Sequence, residues 1–443
     1  MNTKRWTGML AAGLVLAAAG CSNATSHSPS GGSGGAAAAP ADPAKVSGTI
    51  TVLTNRTDLV KDGTLKKYAD QFNQVYPNVT VKFEGHTDYE GDVKIRMSSS
   101  DYGDVLLIPN ALGQAEYPRF FADLGSATAL GQKYRFVSKA TVNGEVYGLA
   151  QNGNAVGFVY NKAVWAKAGI TDWPKSPDEF LADLGQIKAK TGAIPYYTNY
   201  KDGWPITKWQ DALGAASCDV DAGDALASSQ APWAAGTELN TIDTLMYDVV
   251  KRGYSEADPT TTNWEKSKSL LGTGQIGTMW LGSWAVSQMQ AAATAAGGKA
   301  DDIGFMPFPA QPNGKFCTVA GPDYQLAVSI HSAHKDAARA WVDWFVDKST
   351  YAQDQGDVPT LKSAALPAAL QPFQNAGVNM IELSQAKTAT VNTIDDASEI
   401  GLTKPDYRQH IIDLARGAAS GSLESDFADL NKKWSEAVKT AGS

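Results

Sequence analysis

The chain has 443 residues, 43% hydrophobic and 19% charged, with a formal net charge of −8. That is length for two or three core-sized units of ordinary soluble composition. The acidic balance excludes nucleic acid and anionic membrane surface as the main partner, since both attract basic surfaces. Aromatic residues make up 9%, including 12 Trp, whose flat faces suit carbohydrate rings as well as cores.

Lys4 and Arg5 precede an apolar run over 9–19 that ends in small residues. This is the pattern of a secretory signal peptide over 1–20, too short to span a membrane. Ala18-Ala19-Gly20-Cys21 resembles a bacterial lipobox, with Ala18 where Leu is usual, so Cys21 is expected to carry a lipid. Residues 21–45 are small, polar, Gly and Pro, which cannot bury a core, and read as a flexible tether. The remaining Cys218 and Cys317 are a disulfide candidate in an exported chain, with two buried free thiols as the alternative.

Strands and helices then alternate. A β-branched strand is predicted over 49–53, and a helix follows with apolar residues at Leu65, Tyr68, Ala69, Phe72, Val75 and Tyr76, stopping before Pro77. Strands over 79–83 and 104–108 flank a helix over 90–98, and "DVLLI" reads as a strand covered on both faces. Asn143-Gly144 signals a hairpin, and strands are predicted over 146–149 and 156–160. Ser176-Pro177-Asp178-Glu179 is a capping box opening a helix with Phe180, Leu184 and Ile187. A helical middle region runs to about Lys268, followed by strands over 275–281, 304–307 and 323–330. Two further helices carry Ala337, Ala340, Trp341, Trp344 and Phe345, and Leu423, Phe427, Leu430 and Trp434. The alternation predicts an α/β fold with a largely parallel sheet.

The chain has no His-Glu-x-x-His, no Cys-x-x-Cys and no phosphate-binding loop. Gly31-Gly32-Ser33-Gly34-Gly35 fits a nucleophile elbow but lies in the tether with no strand before it. His331 with His334 is too few ligands for zinc, and Asp219, Asp221 and Asp224 lack the spacing of a calcium loop. The reading is therefore no enzyme, no metal and no cofactor.

Several stretches stand in a specific order: "YADQFNQVYPNVTVKFE" (68–84), "GDVLLIPN" (103–110), "NGEVYGLAQNGNAVGFVYNKAVWAKAGI" (143–170), "GTGQIGTMWLGSWA" (272–285) and "PTLKSAAL" (359–366). Behind a lipoprotein-like start, this order resembles the family 1 extracellular solute-binding proteins, the maltose-binding-protein-like sugar-capturing subunits of bacterial ABC importers. The resemblance covers the chain after residue 46. It implies the two-lobed periplasmic-binding-protein-like fold of type II. Each lobe is a mixed, mostly parallel sheet flanked by helices, and a multi-segment hinge joins them. The first lobe is expected over 46–152 and 321–358 and the second over 153–320 and 359–443, with crossings near 151–155, 320–322 and 357–361. It also implies a monomeric receptor on the outer face of the cytoplasmic membrane. Its partners are then a carbohydrate, the importer's permease subunits and, through the lipid anchor, the membrane. A glycerophosphodiester or polyamine receptor is the alternative within binding proteins, and a secreted glycan-active enzyme the alternative outside them.

Candidate ligand-binding residues follow from that frame. Asn55, Arg56, Thr57 and Asp58 follow the first strand and suit sugar hydroxyls, with a solvated loop as the alternative. Asp88 and Tyr89 precede a helix, Asn110 follows the third strand, Gln151 and Asn152 lie at the first crossing, and Asp323 and Tyr324 follow the second. In "TMWLGSWA", Trp280 is expected to end a strand, Gly282 to permit a turn, Ser283 to cap a helix, and Trp284 to sit on its first turn. One or both of Trp280 and Trp284 are expected to line the cleft, core packing of both being the alternative. Trp204 is an exposed-loop platform candidate, whereas Trp209 is expected to pack.

Overall fold

Strand β1 (Gly48–Thr54) is the centre from which the first lobe is built. In the computed structural model, which describes residues 42–441, it pairs in parallel with β2 (Val79–Gly85) and β3 (Val105–Leu107). The leader over 1–20, Cys21 and the tether up to residue 41 lie outside the described residues. A hairpin of β4 (Thr141–Val142) and β5 (Glu145–Val146) turns at Asn143 and Gly144, both with positive φ. Where a single strand over 146–149 was expected, the chain breaks after Val146 and resumes as β6 (Leu149–Ala150).

The second lobe begins with β7 (Gly153–Asn161), which starts inside the polar run expected to separate two strands. Along it Val156, Phe158 and Tyr160 face one core while Ala155 and Val159 face another, the period-two signature of a sheet covered on both sides. β8 (Ile194–Tyr196) interrupts the region read as helical and pairs in parallel with β9 (Ile276–Gly282). β10 (Ile303–Met306) and β11 (Cys317–Pro322) run antiparallel to β7. β12 (Gln325–Val328) returns to the first lobe, antiparallel to β3 and β6, and β13 (Asn379–Ile381) adds to β11 in parallel. The sheet orders are β2-β1-β3-β12-β6 and β13-β11-β7-β9-β8, each mixed.

The helices behave as their sequences dictate. Thr64–Val75 buries Leu65, Tyr68, Ala69 and Phe72, one stripe at helical spacing, whereas Val75 is exposed. Pro177–Lys190 starts at Ser176, whose hydroxyl accepts from Glu179 N, while the Glu179 carboxylate reaches Lys175 N instead of the cap residue. The chain passes between sheets at 151–152, between β6 and β7, and at 323–324, between β11 and β12. A third segment lies alongside, where Val358 exchanges both backbone hydrogen bonds with Gly153. A Cβ at Gly153 would stand 2.3 Å from the Phe136 ring and 2.8 Å from Gly321 O, so the close approach of these segments needs glycine there. A disulfide joins Cys218 to Cys317, whose Cα atoms are 5.5 Å apart across 99 residues of sequence.

Candidate binding site

A cavity of about 520 Å³ opens where β7 begins and β9 and β11 end. Asn154, Gly282, Trp284 and Pro322 mark its edge on that side, and Lys208, Gln210, Asp211, Gln385 and Asp395 close the other. Its size and its mixture of an aromatic face with a few polar groups suit a small organic ligand. None of its lining residues comes from the loops after β1, β2 or β3, so the first lobe's strand ends stand off from it.

Trp284 opens the helix Trp284–Ala295 and is half-buried. A Cβ at Gly282 would stand 2.6 Å from Trp284 Nε1, so glycine lets the indole fold back along the strand end. Trp204 and Trp264 pack around it, with centroids 5.9 and 5.8 Å from Trp284 and 4.9 Å from each other. Trp204 begins the short helix Trp204–Thr207 and is half-buried, rather than sitting in an exposed loop. Trp264 follows the helix cap Asn263 and was not anticipated; "TNWEK" carries no mark of a site beyond its Trp.

Trp280, expected as a candidate platform, is a core residue at 2% exposure. Phe158, Trp209 and Phe308 surround it, because even one step along β9 separates the two faces of a covered sheet. Its indole donates 2.7 Å to Lys208 O and so anchors the opposite wall of the cavity. Ser283 is buried and does not cap the helix; its backbone is already helical and its Oγ accepts from Ala155 N at 3.1 Å. Tyr89 is buried too, its hydroxyl donating to Leu107 O and accepting from Leu107 N. Trp209 packs in the core as expected from its sequence context.

The crossings hold a second constellation. Asn152 Nδ2 donates 2.5 Å to Asp357 Oδ2, and Gln151 Nε2 donates 3.3 Å to Asp323 Oδ2. Burial and then the charge of Asp323 raise the Asp357 carboxyl to about 7, although Asn152 and Arg56 work against the shift. Asp323 is itself raised by burial, opposed by Gln151 and Arg56. The residue is nonetheless exposed at the surface between β11 and β12. Arg56 donates to Tyr351 at 3.2 Å, to Gln355 at 2.8 Å and to both oxygens of Asp58. Burial disfavours its charge, but hydrogen bonds and charge from Asp58 and Tyr351 outweigh burial and hold its pKa above the ordinary value. Asp58 is held below its ordinary value by Arg56. The oxygens Asn55 Oδ1, Asn152 Oδ1, Asn154 Oδ1 and Asp357 Oδ1 are buried and accept from no described residue.

The other expected residues form a third group at the first lobe's edge. Glu90 accepts from Asn110 N at 3.0 Å, from Asn110 Nδ2 at 3.2 Å and from the Tyr324 hydroxyl at 2.8 Å. Asp88 caps the helix Tyr89–Arg96 through Gly91 N, and Thr57 begins the helix Thr57–Lys61. The structure brings Arg56, Gln151, Asn152 and Asp323 together at the crossings with Tyr351, Gln355 and Asp357, and sequence reading did not single out the last three. Nor did it single out Glu90. The signal for Asp357 was present: a carboxylate in "GDVPT", the segment expected to cross the hinge.

Among the described residues no group of three or more His, Cys, Asp or Glu is placed to hold a metal, and no helix is long and apolar enough to cross a membrane. The family model for bacterial extracellular solute-binding proteins matches residues 57–352. A multiple sugar-binding protein of Streptococcus mutans is 25% identical over 295 residues, 64% of this chain and 68% of its own. A solved binding protein of an ABC transporter from Bifidobacterium animalis subsp. lactis, in complex with mannobiose, superposes with a TM-score of 0.75 at 30% identity. That alignment covers 90% of this chain and 96% of the other. A manno-oligosaccharide-specific solute-binding protein from the same bacterium, in complex with mannotriose, gives a TM-score of 0.75 at 29% identity over the same shares.

Proposed function

Because this chain belongs to the bacterial extracellular solute-binding proteins, we propose that it is the substrate-binding component of an ABC importer and captures a neutral oligosaccharide between its lobes. The observation that carries this reading is the buried oxygen of Asn154, which lacks a donor and lines the same cavity as Trp284, with like oxygens of Asn152 at the crossing and Asn55 after β1. Buried acceptors without donors are costly and rare. A sugar supplies many hydroxyl donors and an apolar ring face in one molecule. A phosphate-bearing solute would place its charge against Asp323 and amide oxygens but beside Lys208, so that alternative enters the test. A polyamine also offers donors and suits carboxylates, so it enters the test.

Capture needs no covalent chemistry. The cavity belongs to the second lobe and the crossings, while Asn55, Arg56, Thr57, Asp58, Asp88 and Asn110 stand at the opposing strand ends. Closure of 46–152 with 321–358 over 153–320 with 359–443 would bring those side chains onto the ligand, and a bound ligand favours the closed state only by binding it better. Acylation of Cys21 would anchor the receptor at the outer membrane face, with residues 22–45 giving it reach to a permease. Thermal unfolding with a panel of manno-, gluco- and chito-oligosaccharides, spermidine and glycerophosphocholine tests the reading. A saccharide should raise the Tm and be recovered intact by chromatography. Stabilisation only by spermidine or glycerophosphocholine, or cleavage of the sugar, would contradict it.

A further inference from the structure

The wall of the cavity that faces Trp284 contains a polar side chain whose orientation is fixed from behind. Asp243, on the helix Glu238–Lys251, and Arg408, on the helix Pro405–Arg416, form an ion pair at 0 and 1% exposure. Arg408 Nε donates 2.9 Å to Asp243 Oδ1, and the other carboxylate oxygen accepts from Trp233 Nε1 and the Tyr407 hydroxyl. The rest of the guanidinium points toward the cavity wall. One terminal nitrogen donates 3.2 Å to Leu402 O and the other donates 3.0 Å to Gln210 Oε1. Both Leu402 and Gln210 line the cavity.

A buried ion pair is a poor stability device, because desolvation offsets most of its attraction. This one does something an apolar pair could not. An amide has one acceptor end and one donor end. Arg408 has no acceptor, so it can hold only the Oε1 end of Gln210. The Nε2 end is thereby turned away from Arg408, on a half-buried side chain in the cavity lining, and it has no partner among the described residues. The backbone under Gln210 is pinned as well: Trp280 holds Lys208 O, and Glu238 Oε1 accepts from Gly214 N at 2.7 Å and Ala216 N at 3.0 Å.

We propose that Gln210 contacts the ligand by donating from Nε2 to one of its oxygens, and that the buried Asp243–Arg408 pair is the positioning device that presents this donor. The inference rests on the receptor reading above and narrows it. At this point in the cavity the ligand must offer an acceptor, as a hydroxyl, ring or glycosidic oxygen does and an ammonium group does not. Gln210 complements the amide oxygens of Asn152 and Asn154, which are unpaired acceptors, so the two sides require opposite partners on one ligand. A hydroxyl-bearing molecule meets both.

Calorimetric titration of the Gln210→Glu variant tests this, with the panel saccharide that binds the wild type. Glutamate still accepts from Arg408, more strongly because it is charged, but has no donor to offer. The expected result is affinity at least tenfold weaker, with a Tm equal to or above wild type. Affinity within threefold of wild type would overturn the assignment of Gln210 while leaving the receptor reading intact. Asp243→Asn with Arg408→Met removes the pair without stranding a charge, and in that background Gln210→Glu should change affinity less than threefold. An undiminished loss there would overturn the positioning role alone. A wild type that binds no saccharide would remove the receptor reading and this inference with it.

Discussion

The two sides of the cleft handle their polar groups in opposite ways. On the first lobe, strand-end side chains bond mainly to one another: Arg56 to Asp58, and Asn110 and Tyr324 to Glu90, much of it in contact with solvent. On the second lobe, the wall over 208–218 is held from the core by Trp280, Arg408, Glu238 and the disulfide at Cys218. The difference teaches that a binding face can be preorganised by groups a ligand never touches. In the proposed receptor the second lobe would be the template, and the first would supply side chains free to exchange partners on closure.

Breaking the template should cost most. Replacing Cys218 and Cys317 by Ser opens a crosslink spanning 99 residues and should lower stability by about 3–4 kcal/mol. Denaturant unfolding checks this, and a loss under about 1 kcal/mol would show that the wall does not depend on the bridge.

The crossings between the two sides should respond to pH. Asp357 keeps its proton to about pH 7 when folded, whereas an unfolded Asp loses it near about pH 4. Between those values the folded state holds more protons, so this group's contribution to stability is full below that window and falls as pH rises through it. Asp357→Asn should therefore stabilise the protein at pH 8 by about 2–4 kcal/mol and change it little at pH 4. An equal effect at both pH values would contradict the assignment.

Removing the aromatic face should weaken binding more than folding. Trp284→Ala is expected to cost about 2 kcal/mol of affinity, some thirtyfold, with partial recovery in Trp284→Phe, read by titration. Unchanged affinity would place the ligand elsewhere. Sharpening the contrast from the other side, Asp58→Ala should alter stability by less than about 0.5 kcal/mol, since it removes an exposed ion pair. A large loss would mean that the first lobe is as rigidly organised as the second.

Much of the fold was legible because it is written locally. The stripe from Leu65 to Phe72, the apolar run of β3 and the Asn143-Gly144 turn each state their structure within a few residues. β8 and β13 were not legible: three residues each, they are strands only because β9 and β11 lie beside them. The site divides the same way. Arg56 and Asn152 could be found as polar residues beside strand ends and crossings. Trp280 on the strand and Trp284 on the helix start were legible as elements, with Trp284 favoured for the cleft, but the burial of Trp280 comes from Phe158, Trp209 and Phe308, which the local sequence does not show. Gln210 could not be singled out from sequence as a cavity residue, since the contact that orients it comes from Arg408, 198 positions away.

The proposed receptor role requires that the protein bind a neutral, hydroxyl-rich ligand without altering it. Calorimetric titration of the wild-type protein with mannotriose, spermidine and glycerophosphocholine, with chromatography of each mixture afterwards, tests it most directly. One-to-one binding of the saccharide, its recovery unchanged, and no heat from the two ionic solutes are expected. Binding of a charged solute with none of the saccharide, or shorter sugars in the mixture, would contradict it.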